Sequence, residues 1–491
     1  MVAAWWSTEA PSVQPAMPAR MASAASAAFG ASNAGGPSRT PPLFSAESLG
    51  GDGTPLQFQE QQFAADPGEM ALRVELALSR MKAGQSLAQG RELIDGRPGD
   101  QRFDSAISET HAWAVPAHAM LFAAELEAAR LYYERVASIG TGSESDLHAR
   151  VRLRLLAADI PGALKATRAR LDRYEGDFAR RDLAGFEFMS GHADRAWDVL
   201  RPRLPQSPEI ELWIGAQVGH RIEGLTARRA RDWIVQSSYG HARANRVDIG
   251  EAYLHRYITD DRVPTDDDIA LATELGGRYF TFGTLMEASV KLKRLAFTEP
   301  IDEGSLRPVR EVLARCDWPS RATLKPLYAW VAWHASGGTD PALAVLRGAS
   351  VAGDFDSLLA KGLLLGLEGD PKSAMTYLRA ARIELAGLRS NRLHEELRSP
   401  PYTAALVSYL LFSKTKEPVY REEALRIAHA YERIFPFLAW PHALDALLSQ
   451  DGPARTTAAC RARYLDKDSL FLKLSGLRPD TGSVGCRKAL W

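Results

Sequence analysis

The sequence predicts an all-α fold, a right-handed α-solenoid of antiparallel helix-turn-helix pairs. Three observations lead there. Alanine returns at a nearly fixed interval: Ala129, Ala163, Ala196 and Ala230 lie 34, 33 and 34 residues apart, and Ala342 and Ala374 lie 32 apart. Each sits in an apolar stretch at helical spacing, and a period near 34 is that of stacked helix pairs. No run of strict apolar–polar alternation is long enough to argue a sheet. Finally, 491 residues are many for one compact domain, a limit that a stack escapes because each unit packs only on its neighbours.

Along the chain, residues 1–66 are rich in Ala, Ser, Pro and Gly and contain no Lys. They show no helical or strand period and offer too little apolar surface to offset the entropy of ordering. The expectation is a disordered tail, passive or serving as a tether or secretion address. Helices are expected from Asp66-Pro67, where Asp can cap and Pro can occupy the first turn, continuing through Leu72, Leu76 and Leu78. Arg97-Pro98-Gly99-Asp100 reads as a loop, with helix pairs beyond it to about residue 240. Pro205, Pro208, Pro264, Pro300 and Pro319 fall between helical stretches as breakers.

The clearest pair spans Leu358 to Ala381. Leu358, Gly362 and Leu365 mark one face of its first helix, Gly369-Asp370-Pro371 is the turn, and Ala374, Leu378 and Ala381 mark the second helix. Gly terminates one helix and Pro opens the next. Gly362 and Ala374 are placed where two helices cross, since only small side chains allow close approach. Residues 371–397 contain no internal Pro and read as one long helix, ended by Ser399-Pro400-Pro401; that insertion puts the next candidate alanine, Ala424, 50 residues after Ala374. From Gly452 the pattern weakens, and Leu470, Phe471, Leu472 and Leu474 form a short apolar helix before Gly476, Pro479 and Gly482. The solenoid is expected over residues 67–455 and a C-terminal cap over 456–491, because a stack must cover its last apolar face.

The spacing and residue types of the Leu358–Ala381 unit resemble the tetratricopeptide repeat, with large–small–large positions, then Gly-Asp, then Ala. Ala184, Gly191, Ala196, Leu200 and Pro208 keep the same order more loosely, as do Leu147, Ala158-Asp159 and Ala163, and Trp113, Ala129 and Tyr133. Val151, Val218, Trp330 and Phe412 stand where the small residue belongs. The resemblance covers roughly residues 105–435, with a gap at 240–320. It implies tetratricopeptide-like pairs and a concave groove.

Composition narrows the function. Hydrophobic residues make up 46% and charged residues 24%, an ordinary soluble balance. Lys+Arg and Asp+Glu each total 60, so no global field draws nucleic acid or an acidic membrane. The basic residues are 48 Arg and 12 Lys, which with the Ala content points to a GC-rich, bacterial genome. No segment has the ~20 apolar residues of a membrane span, and the N-terminus lacks the basic and apolar regions of a signal peptide. Trp5-Trp6 and the Ser/Pro/Ala tract after them are similar to the stretch that succeeds the membrane anchor in some envelope proteins.

Each catalytic or metal pattern is incomplete. Cys316 stands alone; Cys460 and Cys486 can close a loop worth about 3 kcal/mol in an oxidising compartment, or remain thiols in a reducing one. No Cys-x-x-Cys occurs. His394-Glu395-Glu396 lacks the second His of a zinc-protease helix, since position 398 is Arg. His111 and His118 are separated by Pro116 and read as solvated or capping residues. Asp260-Asp261 and Asp266-Asp267-Asp268 lack the alternation, Gly and closing Glu of a calcium loop, and Thr265 before three Asp reads as a helix N-terminus. Gly84 to Gly90 runs into Arg91-Glu92, not the Lys-Ser/Thr of a phosphate loop. Neither a dinucleotide fingerprint nor a Gly-x-Ser-x-Gly elbow appears. No cofactor is expected.

Two clusters remain. In residues 226–246, Arg228, Arg229, Arg231, Arg243 and Arg246 lie near Trp233, Tyr239 and His241. Arginine forks bind carboxylates or phosphates and aromatic rings can stack, so Arg228, Arg229, Arg231, Trp233, Tyr239 and Arg243 are candidate partner-binding residues; a solvated helix face with Trp233 in the core is the plainer reading. Tyr328, Trp330, Trp333 and His334 form either core packing between repeats or an aromatic platform in the groove. The expected function is a non-enzymatic scaffold that holds a peptide or protein partner, not nucleic acid, in the concave groove. The alternatives are an envelope protein of polysaccharide assembly or export, and a secreted effector.

Overall fold

The computed structural model describes residues 54–96, 103–174, 176–200, 263–278, 282–297, 301–313, 324–336, 338, 342, 355–387, 400–466, 469–480 and 485–486. Twenty helices and no strand are found among them. The first nine are α1 (Thr54–Ala65), α2 (Met70–Lys82), α3 (Leu87–Asp95), α4 (Ala106–Phe122), α5 (Leu126–Ile139), α6 (Glu144–Leu156), α7 (Ile160–Arg173), α8 (Asp177–Met189) and α9 (Ala193–Leu200). Next come α10 (Asp266–Arg278), α11 (Phe282–Ala296), α12 (Glu303–Leu313) and α13 (Leu324–Ser336). The remainder are α14 (Phe355–Leu367), α15 (Pro371–Gly387), α16 (Pro400–Thr415), α17 (Pro418–Ile434), α18 (Ala439–Leu448), α19 (Gly452–Leu465) and α20 (Leu470–Ser475).

The pairs α2/α3, α4/α5, α6/α7, α8/α9, α10/α11, α14/α15 and α16/α17 pack internally; the first four pack on one another in turn, α14/α15 packs on α16/α17, and α13 lies between α11 and α14. Five of the first helices end in one backbone turn. The residue two places past α2, α4, α6, α8 and α14 has positive φ: Gly84, Ala124, Ala158, Gly191 and Gly369. Its N–H reaches back to Met81, Leu121, Leu155, Phe188 or Gly366, and the next N–H reaches Arg80, Met120, Arg154, Glu187 or Leu365. These two hydrogen bonds satisfy carbonyls that a helix end leaves orphaned. In two of these pairs an aspartate caps the next helix: Asp159 accepts from the Gly162 N–H at 2.9 Å, and Asp370 from the Ser373 N–H at 3.0 Å.

The periodic alanines that are described fill the seams; Ala230 lies outside the described residues. Ala129, Ala163, Ala342, Ala374 and Ala424 have no exposed surface, and Ala196 is buried. At the crossing of α14 and α15, a Cβ on Gly362 would sit 3.0 Å from Leu378 and 3.2 Å from the Ala374 carbonyl. Ala117, Val151 and Ala184 occupy the equivalent place, twelve residues before their alanines, and are buried.

Several expectations shift. Residues 54–65, assigned to the disordered tail, form α1, which packs on α2. Asp66-Pro67 do not start the next helix: the Asp66 N–H closes α1 by bonding Gln62, and Glu69 caps α2. Pro116 lies inside α4 rather than dividing it. The boundary at 455/456 falls within α19, which packs on α18 as a full partner helix. Of the long helix expected over 371–397, Pro371–Gly387 is helical and 388–399 lies outside the described residues.

The largest difference concerns contacts distant in sequence. α15 packs on α2 and α4, and α17 packs on α4 and α6. The first helices of the N-terminal pairs are thus covered in part by the chain's own C-terminal helices, whereas a plain stack has each unit packing only on its neighbours. The physical reason is apolar surface: Phe122 meets Tyr431, Phe186 meets Phe437, and Phe188 meets Tyr464.

Candidate functional site

The six candidate partner-binding residues, Arg228, Arg229, Arg231, Trp233, Tyr239 and Arg243, lie outside the described residues, in the stretch between α9 and α10. His394-Glu395-Glu396, Cys316, Asp260 and Asp261 also lie outside them.

The aromatic cluster is described, and it packs inward. Trp330 and Tyr328 on α13 are buried, and Trp333 packs against the core. The rings of Trp330 and Trp333 stack with centroids 6.4 Å apart, and His334 lies edge-on to both. The Lys414 ammonium sits 5.2 Å over the Trp333 ring. A platform for an external ring needs a free face, and Trp333 already holds a cation on its own.

The acidic cluster is a helix cap. The Thr265 N–H donates to Asp268 Oδ2 at 3.0 Å, and the Asp268 N–H donates to Thr265 Oγ1 at 3.3 Å. This reciprocal pair opens α10 with three carboxylates in its first turn. Cys460 on α19 is joined to Cys486 by a disulfide, with Cα atoms 5.3 Å apart. His111 meets Ser145 Oγ at 2.8 Å.

The most developed polar constellation is one that sequence reading missed. It lies where the N-terminal pairs meet the C-terminal helices and has two parts. In the first, Arg382 of α15 is almost fully buried between Glu423 and Glu125. Its Nε donates to Glu423 at 2.7 Å and its Nη1 to Glu125 at 3.1 Å; Nη1 also donates to the Ala123 carbonyl that ends α4. Lys82–Glu384 and Arg379 to the Gln85 carbonyl extend the contact along α15.

In the second part, Arg152 of α6 plays the reciprocal role. Its Nη1 donates to the Ile434 carbonyl at 2.7 Å, at the end of α17. Its guanidinium lies 5.5 Å over Phe435, and that of Arg181 lies 4.7 Å over the same ring. Arg181 is held by Asp182, 2.8 Å from its Nη2. Beside Arg152, the His148 and His118 rings stack with centroids 4.8 Å apart. Burial, reinforced by Arg152 and Arg170, holds the His148 pKa well below the usual histidine range. Phe437 then fits against Gly185, where a Cβ would stand 2.3 Å from the ring.

No sequence signal could have found the hydrogen bonds between the N-terminal pairs and the C-terminal helices, because the residues they join are 257 to 302 apart. The pairing depends on how the stack closes. Among the described residues, no helix is long and apolar enough to cross a membrane. No protein-family model, curated protein or solved structure matches this chain.

Proposed function

We propose that this chain is a non-enzymatic scaffold, built of right-handed tetratricopeptide-like helix pairs, that holds a protein or peptide partner. One observation carries the reading: the same two-bond turn closes the first helix at Gly84, Ala124, Ala158, Gly191 and Gly369. A helix pair repeated on one plan builds an extended side-chain surface rather than a single pocket. Because α15 and α17 cover part of the first-helix face, the partner is assigned to Arg228, Arg229, Arg231, Trp233, Tyr239 and Arg243, between α9 and α10. Arginine forks with aromatic neighbours suit an acidic peptide.

The test is an affinity pull-down with the full chain, partners being identified by mass spectrometry, repeated with the Arg228→Glu/Arg231→Glu double variant. Charge reversal turns attraction into repulsion at such a surface, whereas exposed charges change folding by only about 1 kcal/mol. Loss of the partner with an unchanged melting temperature is expected. Undiminished binding, or collapse of the fold, overturns the assignment.

The disulfide supports a second reading, an envelope protein of polysaccharide assembly or export, since such bonds persist in oxidising compartments. Acid-quenched alkylation of the protein from its own cells distinguishes them. Free Cys460 and Cys486 thiols there would count against the envelope.

A further inference from the structure

We propose that the stacked His118–His148 pair is an acid-sensitive latch that releases the C-terminal helices from the N-terminal pairs. Three pieces of geometry carry this. Arg152 Nε donates to His148 Nε2 at 3.1 Å, so that nitrogen must keep its lone pair and the ring must be neutral. The same guanidinium holds the C-terminal side, through the Ile434 carbonyl at 2.7 Å and the Phe435 ring. The His118 ring lies over His148 with the planes only 14° apart, and its Nδ1 is 2.6 Å from the Ala114 carbonyl, to which it donates.

The surroundings leave little room for another positive charge. α4 contributes His118; α5 sets Tyr133 edge-on to it. α6 contributes Arg152, and α7 contributes Arg170, which is paired with Glu144. α8 brings Arg181 and Asp182, the latter bonded to Arg181 and 3.9 Å from Arg152. The C-terminal side brings the Ile434 carbonyl and the Phe435 ring. Asp182 is therefore shared by two arginines. A proton on His148 removes the acceptor of Arg152 and sets like charges side by side. Arg152 must turn away, and its hold on Ile434 and Phe435 goes with it.

The sign comes from the depressed pKa of His148. The folded arrangement binds its proton less readily than the open one. Its contribution is complete above the ordinary histidine value and is lost as pH falls through it toward the depressed value. The contacts of Arg382 with Glu423 and Glu125 involve no histidine, so opening begins at the Phe435–Phe437 end.

Hydrogen exchange of the full chain tests the latch, at about pH 7.5 and about pH 5.5, either side of the ordinary ~6.5, after correction for the intrinsic rate. Protection of residues 431–438 is expected to fall by up to roughly tenfold per pH unit for one proton, while α14 and α15 stay unchanged. In His148→Gln the side-chain oxygen can accept from Arg152 without titrating, and the acid response should vanish. Equal protection at both pH values, a uniform rise throughout the chain, or the same response in His148→Gln overturns the proposal. Should that variant fail to fold, NMR titration of the histidines in the unmodified protein decides: a His148 pKa below the ordinary value is required, and one at or above it refutes the latch.

Discussion

The pairs α6/α7 and α14/α15 are built on one plan from different residues. Val151, Ala158, Asp159 and Ala163 in the first stand at the same mutual spacing as Gly362, Gly369, Asp370 and Ala374 in the second. Both turns make the same two backbone bonds, and both second helices start from a capping Asp. The first pair accommodates a valine at the crossing, the second a glycine on which a Cβ would press against Leu378 and the Ala374 carbonyl. Ala158 holds φ at 59° where Gly369 takes 89°. The turn is thus set by its hydrogen bonds and the packing around it, and glycine only makes it easier. Each pair also sends one buried arginine across to the other half of the molecule, Arg152 to the Ile434 carbonyl and Arg382 to the Ala123 carbonyl.

Those arginines give the largest expected effect. Arg382→Met leaves Glu423 and Glu125 with only the half-exposed Arg426, 3.9 Å from each, and loss of the buried partner costs about 3 kcal/mol. Arg152→Met leaves a carbonyl, a neutral ring and an Asp182 still held by Arg181, so about 1–3 kcal/mol is expected. Denaturant unfolding of both variants measures the gap. Equal losses would show that the two clasps are energetically alike and that the carboxylates do not set the difference.

Exchanging the crossing residues comes next. Val151→Gly opens a cavity at a fully packed site and puts glycine inside a helix, a loss of about 2–3 kcal/mol. Gly362→Val forces a branched side chain against Leu378 and the Ala374 carbonyl, a loss of about 1–3 kcal/mol. If either exchange proved neutral in a thermal melt, the two crossings would be less specifically fitted than their geometry implies.

The turn exchange is smallest and differs in sign. Gly369→Ala places a side chain in left-handed backbone and should destabilise by about 1 kcal/mol. Ala158→Gly relieves that strain but frees the unfolded chain, leaving a gain of about 0.5 kcal/mol. A loss of stability in Ala158→Gly would show that the methyl group contributes packing that its position in the turn does not suggest.

Much of the fold is legible in the sequence, and for local reasons. The Leu358–Ala381 unit is readable because each of its signals acts within a few residues: glycine at a helix end, proline opening the next helix, small residues at the crossing. Thr265 is readable as a cap for the same reason. Pro116 misleads because, although a proline removes one donor and crowds the carbonyl four residues earlier, tertiary packing can keep a helix continuous through it. α1 escapes sequence reading because its glutamines and alanines have no apolar stripe of their own. The Arg228–Arg243 cluster lies outside the described residues.

The sequence by itself determined the helix pairs, their turns and the alanine seams, because these depend on contacts between residues close along the chain. Only the tertiary structure decided that the first-helix face is partly covered by α15 and α17, that Arg152 and Arg382 become reciprocal clasps, and that His118 and His148 are stacked. Those features depend on where the ends of a long stack meet. That is the sum of many small rotations between neighbouring pairs, and no single residue encodes it.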